Sequence, residues 1–294
     1  MPEFFSSVLN IATLVFAVSS MLSVGLANSF RRILGPLRNM GAVFRVLLAN
    51  FVLVPLLAFV LLQVIALEGS VAEGLVLVSM AAGAPFLVKL SETAETDVGL
   101  SATVLIILLP ATIVYMPLMV PRISLGLTVD AGAIARPLMV TMLLPLTIGL
   151  VLRALAESAA LRVQPWLAKL ATIALVVLIA ATIVANFGSI LTILHIRPLA
   201  AAIVLIAGAF VIGFLLGGRN RNSREVLGLA TAQRNISAAL VVATQTFHDP
   251  TIVAMVVITS LAGFAVLFPT AFLLRRHSRE HAAQTAPDQK QRSE

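Results

Sequence analysis

The sequence predicts an all-α polytopic membrane protein with nine transmembrane helices. Of its 294 residues, 60% are hydrophobic and only 11% are charged, whereas charged residues make up about 25% of an ordinary soluble domain. The mean hydropathy is +1.05. The apolar residues fall into runs of about 20, which is the length a helix needs to cross the hydrocarbon core of a bilayer. These three observations exclude a soluble globular enzyme.

A hydropathy window of about 19 residues divides the chain into nine spans. Pro137, Pro198 and Pro250 suit the first position of a helix, and Asp249 suits the N-cap before Pro250. The spans form one transmembrane domain over residues 1–276, and the polar residues 277–294 are expected to be a disordered cytoplasmic tail. The spans cover residues 9–28, 41–66, 71–89, 98–120, 137–155, 166–187, 198–217, 225–247 and 250–274.

The distribution of basic residues predicts the orientation in the membrane. Nine spans put the termini on opposite sides, and sixteen of the 20 Lys and Arg residues then lie on the side of the C-terminus, against three on the other side. By the positive-inside rule the N-terminus is outside and the C-terminus is cytoplasmic. The net charge of +7 is therefore a topology signal in an integral inner-membrane protein, and no nucleic-acid partner is expected.

The sequence carries no recognisable catalytic or metal-binding motif. It contains no Cys and four scattered His, and it lacks the GxSxG and HExxH patterns that mark common hydrolases. We therefore expect no catalytic residue, no metal site and no cofactor.

The eighth span contains a cluster of polar side chains close to its middle. Its members are Thr231, Gln233, Arg234, Asn235 and Ser237. An Arg at mid-bilayer costs about 2.5 to 3.5 kcal/mol on insertion scales, so it should face protein or water. Because these residues occupy two faces of a helix, the span must be surrounded by protein or interrupted to line a cavity. We interpret the cluster as a substrate-binding or ion-binding site.

Two other spans depart from plain apolar composition. Gly83, Pro85 and Phe86 predict a kink or break late in the third span, because proline removes a backbone hydrogen bond and clashes with the preceding turn. Asn50 in the second span could coordinate a cation, donate to an anion or cross-link two helices. One interrupted span in each half of the chain is typical of secondary transporters of the inverted-repeat type, whose site lies at the bilayer midplane.

At these residues the chain resembles the bile acid:sodium symporter family, in its bacterial branch. The resemblance is carried by SVGLANSF at 23–30, LLANFVLVPLLA at 47–58, GAPF at 83–86 with DVGLS at 97–101, and ATAQRNISAALVVA at 230–243. It implies a panel domain and a core domain, with two discontinuous helices that cross in the core. It also implies a sodium site at the crossing.

The residues expected to bind sodium by this resemblance are largely replaced. The family's Ser-Asn pair falls on Pro85 and Phe86, its Glu on Ala230 and its second Gln on Arg234. Two positions keep an oxygen-bearing side chain, namely Asn50 and Ser101. The replacements argue against sodium coupling.

We hypothesise that the Arg234 guanidinium lies where a sodium ion would lie. The competing interpretation is that Arg234 pairs with an acid inside the protein. The candidate acids are Glu73, Glu92, Glu95 and Asp97.

The predicted function is secondary transport of an organic anion across the cytoplasmic membrane by alternating access. The anion could be bile-salt-like or a small carboxylate, and the coupling ion could be sodium, a proton or none. The predicted partners are the anion and the lipid bilayer, while the oligomeric state is open. The alternative is a membrane channel or sensor in which the polar cluster of the eighth span is structural.

Overall fold

The computed structural model describes residues 3–29, 40–123, 130–185, 196–247 and 249–291. Within these ranges the backbone is helical apart from short turns, and it contains no β-strand. This confirms the prediction of an all-α polytopic membrane protein.

Thirteen α-helices and three five-residue π-helical segments make up the described chain. In order they are α1 Glu3–Ala27, α2 Met40–Leu48, the π-segment Ala49–Leu53, α3 Val54–Ile65, α4 Gly69–Met80, α5 Leu87–Ala94, α6 Val98–Ile123, α7 Ala131–Leu138, the π-segment Met139–Leu143, α8 Leu144–Leu155, α9 Glu157–Ala185, α10 Ile196–Leu216, α11 Arg221–Ala232, α12 Ile236–Val242, the π-segment Ala243–Phe247 and α13 Pro250–Gln291.

Eight helical stretches in the described ranges are long and apolar enough to cross a membrane. They overlap eight of the nine expected spans, but Pro137, expected at the first position of a helix, lies inside α7. The third expected span, residues 71–89, is not a continuous helix but consists of the shorter apolar helix α4, a break and α5. The eight stretches are Ser7–Ala27, Met40–Ile65, Val98–Ile123, Ala131–Leu155, Glu157–Ala181, Ile196–Leu216, Arg221–Phe247 and Pro250–Arg276.

The last helix, α13, extends from Pro250 to Gln291. It includes the ninth expected span, residues 250–274, and most of the polar residues that follow it. The expected disorder of residues 277–294 stays a prediction.

The helices pack into two units. In the first, α1 packs along α9 and α8, and we call α1, α7, α8 and α9 the three-span layer, since α7 and α8 form one span. In the second, α10 packs along α11, α3 and α13, while α13 also contacts α4 and α5. We call this second group, completed by α2, α6 and α12, the six-span unit.

Burial places the core of the molecule in the six-span unit. In the span Arg221–Phe247, the 18-residue apolar stretch is 100% buried inside the protein. The corresponding stretch of Glu157–Ala181, in the three-span layer, is 17% buried. A span that is covered by protein on all sides can carry polar residues, because none of them faces lipid. The eighth span meets this condition.

Contacts between helix termini define two ends of the molecule. At one end Ser70, near the start of α4, donates to Asp249 before α13. At the other, Arg275 pairs with Glu95 after α5 at 2.8 Å, and Arg45 in α2 lies beside Gly218 after α10. We refer to the second end as the Arg45 end.

Candidate functional site at the two helix breaks

The third span is interrupted between α4 and α5. Gly83 has φ +75°, a conformation that L side chains rarely adopt. A Cβ at this position would also lie only 2.8 Å from the backbone nitrogen of Leu109. After the break, the Phe86 ring packs edge-on against Phe264 of α13, with centroids 5.3 Å apart, which fixes the start of α5. The residues expected to break this span therefore lie at the interruption, and Gly83 is required there both by conformation and by space.

The eighth span is interrupted at Gln233, Arg234 and Asn235, and the two breaks touch each other. The Asn235 backbone N–H donates to the Ala81 carbonyl at 2.8 Å, and its Nδ2 donates to the Gly83 carbonyl at 2.9 Å. Its Oδ1 accepts from Ala238 N at 3.1 Å and from Ser237 Oγ at 2.8 Å. Asn235 is thus both the N-cap of α12 and the cross-link between the broken spans.

Arg234 is buried beside this cross-link, with a relative exposure of 3%. Its Nε donates to the Val78 carbonyl at 3.2 Å and one Nη donates to the Ser79 carbonyl. The other Nη donates to the Thr231 carbonyl and to Asn50 Oδ1, each at 3.0 Å. Four of the five guanidinium N–H groups can therefore be assigned to protein oxygens.

Three of these four oxygens belong to the last turns of α4 and α11. The carbonyls at a helix C-terminus have no partner within the helix and carry the negative end of its dipole. A cation at the meeting point of two C-termini is stabilised by both. Arg234 lies at such a meeting point and is held by uncharged oxygen ligands, as a metal cation would be.

No carboxylate pairs with Arg234 in the described chain. Of the acids considered from the sequence, Glu92 pairs with Lys89 at 3.0 Å and Glu95 pairs with Arg275. Asp97 accepts from Leu100 N. The fourth candidate, Glu73, is buried in α4 with 5% exposure and is not among the partners of Arg234. The charge of Arg234 is therefore offset by dipoles and not by a counter-charge.

Asn50 joins the second span to this cluster. Its Oδ1 accepts from Arg234, while its Nδ2 donates to the Val46 carbonyl at 3.0 Å and to Thr231 Oγ1 at 3.3 Å. Asn50 lies in a π-helical segment that ends just before Pro55. Such segments are frequent at functional sites because they shift side chains out of the regular register.

Gln233 differs from its neighbours in the cluster. Its backbone N–H donates to the Leu229 carbonyl at 2.9 Å. Its side chain is buried, with 4% exposure, yet the side-chain amide has no hydrogen-bond partner in the described chain. Buried polar groups are nearly always satisfied by protein or by water. An unsatisfied amide next to a helix break indicates a place where a ligand or water can bind.

Ser101 lies apart from the other candidate residues. It bonds Ser91 Oγ at 2.6 Å and the Asp97 carbonyl at 3.0 Å. On α6 it is eleven residues from Thr112, or about 16 Å along the helix at 1.5 Å per residue. The structure therefore brings together Asn50, Thr231, Arg234, Asn235 and Ser237, but not Ser101.

Sequence reasoning missed two residues of α6 that support the breaks. Thr112 Oγ1 donates to the Ala82 carbonyl at 2.9 Å and accepts from Ala82 N at 3.2 Å. Tyr115 donates to the Phe51 carbonyl at 2.7 Å, which Pro55 cannot satisfy because it has no N–H. Thr112 gave no signal because a Thr in a helix commonly bonds its own preceding turn.

A cavity of about 940 Å³ opens toward the Arg45 end. Its walls come from α1, α2, α5, α6, α10 and α11, and its deeper residues include Val46 and Leu227. These two lie one helical turn, or about 6 Å, from Asn50 and Thr231. The cavity thus approaches the Arg234 cluster from one side of the molecule.

The two touching, buried breaks lie within a bundle of long apolar helices, the architecture of a polytopic membrane protein. A model of the Sodium Bile acid symporter family matches residues 14–193. Because this match covers more than half of the chain, the protein belongs to that family, as the resemblance predicted. The family name denotes sodium-coupled transporters and not enzymes.

The family match does not extend to the second helix break. It ends before α11, so it does not include Arg234 or its neighbours in the eighth span. No curated protein matches the chain. The role of the second break is therefore inferred from its own residues.

Proposed function

We propose that this protein is a secondary transporter that moves an organic anion across the cytoplasmic membrane by alternating access and without sodium coupling. The observation that carries the proposal is the environment of Arg234. This buried guanidinium is held by four uncharged oxygens, from α4, α11 and the π-segment containing Asn50, and no acid neutralises it.

Arg234 explains why sodium is not needed. A sodium ion at the crossing would need several oxygen ligands, and the oxygens at the ends of α4 and α11 already accept hydrogen bonds from the guanidinium. An Arg side chain stays protonated in proteins and is covalently attached. It can therefore stabilise the crossing as a bound cation would, but it cannot be released to couple transport to an ion gradient.

The same charge favours an anionic substrate. A positive charge without a counter-charge raises the local potential for anions, and a low-dielectric surrounding strengthens this effect. Gln233, whose buried amide has no partner in the described chain, could donate to a substrate oxygen. We therefore assign the substrate and ion site to Arg234, Gln233, Asn235, Thr231, Ser237 and Asn50.

The distribution of basic residues gives the proposed orientation in the membrane. The Arg45 end carries the basic connections of the sequence, so we place it in the cytoplasm together with the C-terminus. The three-span layer then corresponds to the panel of the family and the six-span unit to its core. In this orientation the 940 Å³ cavity faces the cytoplasm, as in an inward-facing state.

The test is uptake into proteoliposomes by the purified full-length protein. Radiolabelled cholate, lactate and succinate would be offered in sodium chloride or in choline chloride at equal ionic strength. We expect uptake of at least one anion, with initial rates in the two salts that agree within about twofold. Accumulation that requires a sodium gradient would contradict the sodium-independent mechanism.

Variants at position 234 test whether the guanidinium takes part in transport. Arg234→Gln should abolish uptake, since it removes the charge and leaves buried carbonyls unsatisfied, at a cost of about 2 kcal/mol or more. Arg234→Lys keeps the charge and should retain part of the stability. Uptake by Arg234→Gln at the wild-type rate would show that the guanidinium has no part in transport.

A further inference from the structure

We propose that an anionic phospholipid of the surrounding bilayer binds at the turn between α10 and α11, where Arg45, Arg219 and Arg224 hold its phosphate group. We call these three residues the arginine patch. The patch lies on the six-span unit at the Arg45 end, and the acyl chains of the lipid lie along the outer faces of α2 and α10. This lipid site goes beyond the proposed transport function and does not depend on it.

The backbone of this turn brings the three arginines together. Arg219 belongs to the short connection between α10 and α11. Gly218 has φ +86°, and a Cβ on it would lie 2.9 Å from one Nη of Arg45. A Cβ on Gly217 would clash with the Cα of Arg224. Because the two glycines allow this close approach, Arg45 from the second span and Arg224 from α11 lie against the same turn.

No carboxylate of the described chain neutralises the arginine patch. None of its three members forms an ion pair with a described residue. The acid closest to the patch in the sequence, Glu225, is buried and pairs with Arg221 at 2.7 Å. Elsewhere at this end a basic residue does pair with an acid, as Arg275 does with Glu95. The positive charges of the patch therefore favour an anionic ligand.

Most hydrogen-bond donors of the patch are available to a ligand. Arg45 makes a single hydrogen bond in the described chain, from Nε to the Gly41 carbonyl at 3.2 Å. Arg224 donates from Nε to the Phe214 carbonyl at 3.2 Å, and its guanidinium carbon lies 4.3 Å from the centre of the Phe214 ring. Arg219 is exposed and makes no side-chain hydrogen bond with a described residue. The terminal N–H groups of all three can therefore bind phosphate oxygens in the bidentate geometry that Arg favours.

Apolar side chains beside the patch indicate a lipid rather than a soluble phosphate compound. Phe44, next to Arg45 in α2, is 64% exposed, and Leu215 near the end of α10 is 66% exposed. Both belong to membrane spans, and exposed apolar surface of this kind is covered by lipid. The turn joins two spans, so it lies near the headgroup region, where anionic lipids attract basic residues. The patch and its apolar neighbours are thus complementary to a phosphate group that carries acyl chains.

The test is titration of the full-length protein in dodecyl maltoside with dioleoyl phosphatidylglycerol, read out by native mass spectrometry of the protein–lipid complex. Dioleoyl phosphatidylcholine has the same chains and no net charge, and is the matched probe. We expect wild type to bind phosphatidylglycerol at least about fivefold more tightly than phosphatidylcholine. Arg45→Gln with Arg219→Gln should weaken phosphatidylglycerol binding about 20-fold, or about fivefold for each basic residue removed. Phosphatidylcholine binding should not change.

Arg162→Gln with Lys169→Gln is the matched control for general attraction between charges. Both residues are exposed on α9 in the three-span layer. They lie toward the Arg45 end, because the nearby Gln164 bonds Ser23, one turn before the cavity-lining Ala27. This control removes the same charge away from the patch and should change phosphatidylglycerol affinity by less than about twofold, since exposed charges more than a Debye length apart are largely screened.

Two further comparisons identify the role of the guanidinium groups and the source of the phosphate. Arg45→Lys with Arg219→Lys should bind phosphatidylglycerol with an affinity between those of wild type and the Gln variant, because it keeps the charge without the fork. Glycerol 1-phosphate carries the phosphate without acyl chains. An about hundredfold excess of it should not displace phosphatidylglycerol, because burial of the chains adds to lipid affinity.

Four outcomes would overturn the inference. Equal affinity of wild type for the two lipids, or equal phosphatidylglycerol affinity in wild type and the Arg45 and Arg219 double variant, would remove the site. Equal weakening by the α9 control would leave only general surface charge. Displacement by glycerol 1-phosphate would make a soluble phosphate compound the occupant. None of these results bears on transport, which stands or falls with anion uptake into phosphatidylcholine proteoliposomes.

Discussion

Arg234 and Arg45 show how the same side chain acquires different properties from its surroundings. Arg234 meets the C-terminal carbonyls of two half-helices, and hydrogen bonding there replaces the water that a buried charge has lost. In the described chain Arg45 makes a single hydrogen bond, from Nε to the Gly41 carbonyl, and it lies in the lining of a cavity. The first guanidinium is therefore fixed by protein oxygens, whereas the second lies beside open space.

Asp249 contributes to stability at the end opposite Arg45. Its Oδ1 accepts from Thr251 N at 2.7 Å, and its Oδ2 accepts from Ser70 Oγ. Partial burial by itself raises the pKa of this carboxyl. The hydrogen bonds from Ser70, Thr251 and Ile252 outweigh that effect and hold the pKa of Asp249 below its ordinary value.

The lowered pKa predicts how stability depends on pH. Because the folded state favours the carboxylate, its contribution is present above the unfolded pKa of about 3.9 and is lost as pH falls through the lower folded value. Melting temperatures of wild type and Asp249→Asn should therefore differ by a constant amount from pH 7 to 5 and converge below about pH 4. Ser70→Ala should weaken this pH dependence, and a difference that persists unchanged to pH 3 would contradict it.

At the scale of elements, the breaks in the third and eighth spans arise from different local features. The first uses the positive φ of Gly83 and the missing N–H of Pro85, whereas the second ends at Ala232 and restarts with Asn235 as a side-chain cap. Proline and glycine can be recognised in a sequence because their backbone effects are local. The second break depends on a partner, since Asn235 bonds carbonyls of the first break.

Gly83→Ala should destabilise the protein by about 2 kcal/mol or more. The cost combines a left-handed conformation, at about 1 to 2 kcal/mol for a residue with a Cβ, with the clash against Leu109 N. Gly263→Ala in α13 is the matched control, because its Cβ would meet only Ile206 at 3.8 Å. The control should be neutral or stabilising by up to about 1 kcal/mol. Equal melting temperatures for wild type and Gly83→Ala would show that the break is not constrained in this way.

At the scale of the whole molecule, the proposed alternating-access mechanism would require the two units to move relative to each other. At the end opposite Arg45, Gln245 Nε2 of the six-span unit lies 3.4 Å from Asn10 Oδ1 of the three-span layer. Thr246 Oγ1 also donates to the Ala133 carbonyl of α7 at 3.2 Å. These contacts join the two units at this end, so the proposed exchange of the cavity between the two sides would require them to break.

A cross-link between the two units at this end should stop transport. The chain contains no Cys, so Asn10→Cys with Gln245→Cys introduces a unique pair for a short bifunctional thiol reagent. We expect uptake to fall by at least about tenfold after cross-linking and to be normal before it. Ser23→Cys with Gln164→Cys, at a contact of 3.1 Å inside the three-span layer, is the control and should tolerate the reagent. Full uptake by the cross-linked Asn10–Gln245 pair would contradict relative movement of the units.

The sequence by itself determined the membrane class, the approximate positions of the apolar segments and the presence of a polar cluster in the eighth span. These features follow from composition, from the length needed to cross a bilayer and from local backbone chemistry, all of which can be counted along the chain. It also identified Asn50 and Gly83. An amide side chain, or a Gly and a Pro two residues apart, is easily recognised in an apolar run.

Only the tertiary structure decided which of these residues meet. Arg234 could have paired with one of four acids, and its oxygen partners became visible only when α4, α11 and the second span were brought together. Ser101 has the expected chemistry but lies elsewhere on α6, while Thr112 reaches the first break. Contacts between residues about 30 to 180 positions apart depend on how helices pack, and a list of apolar runs does not specify that packing.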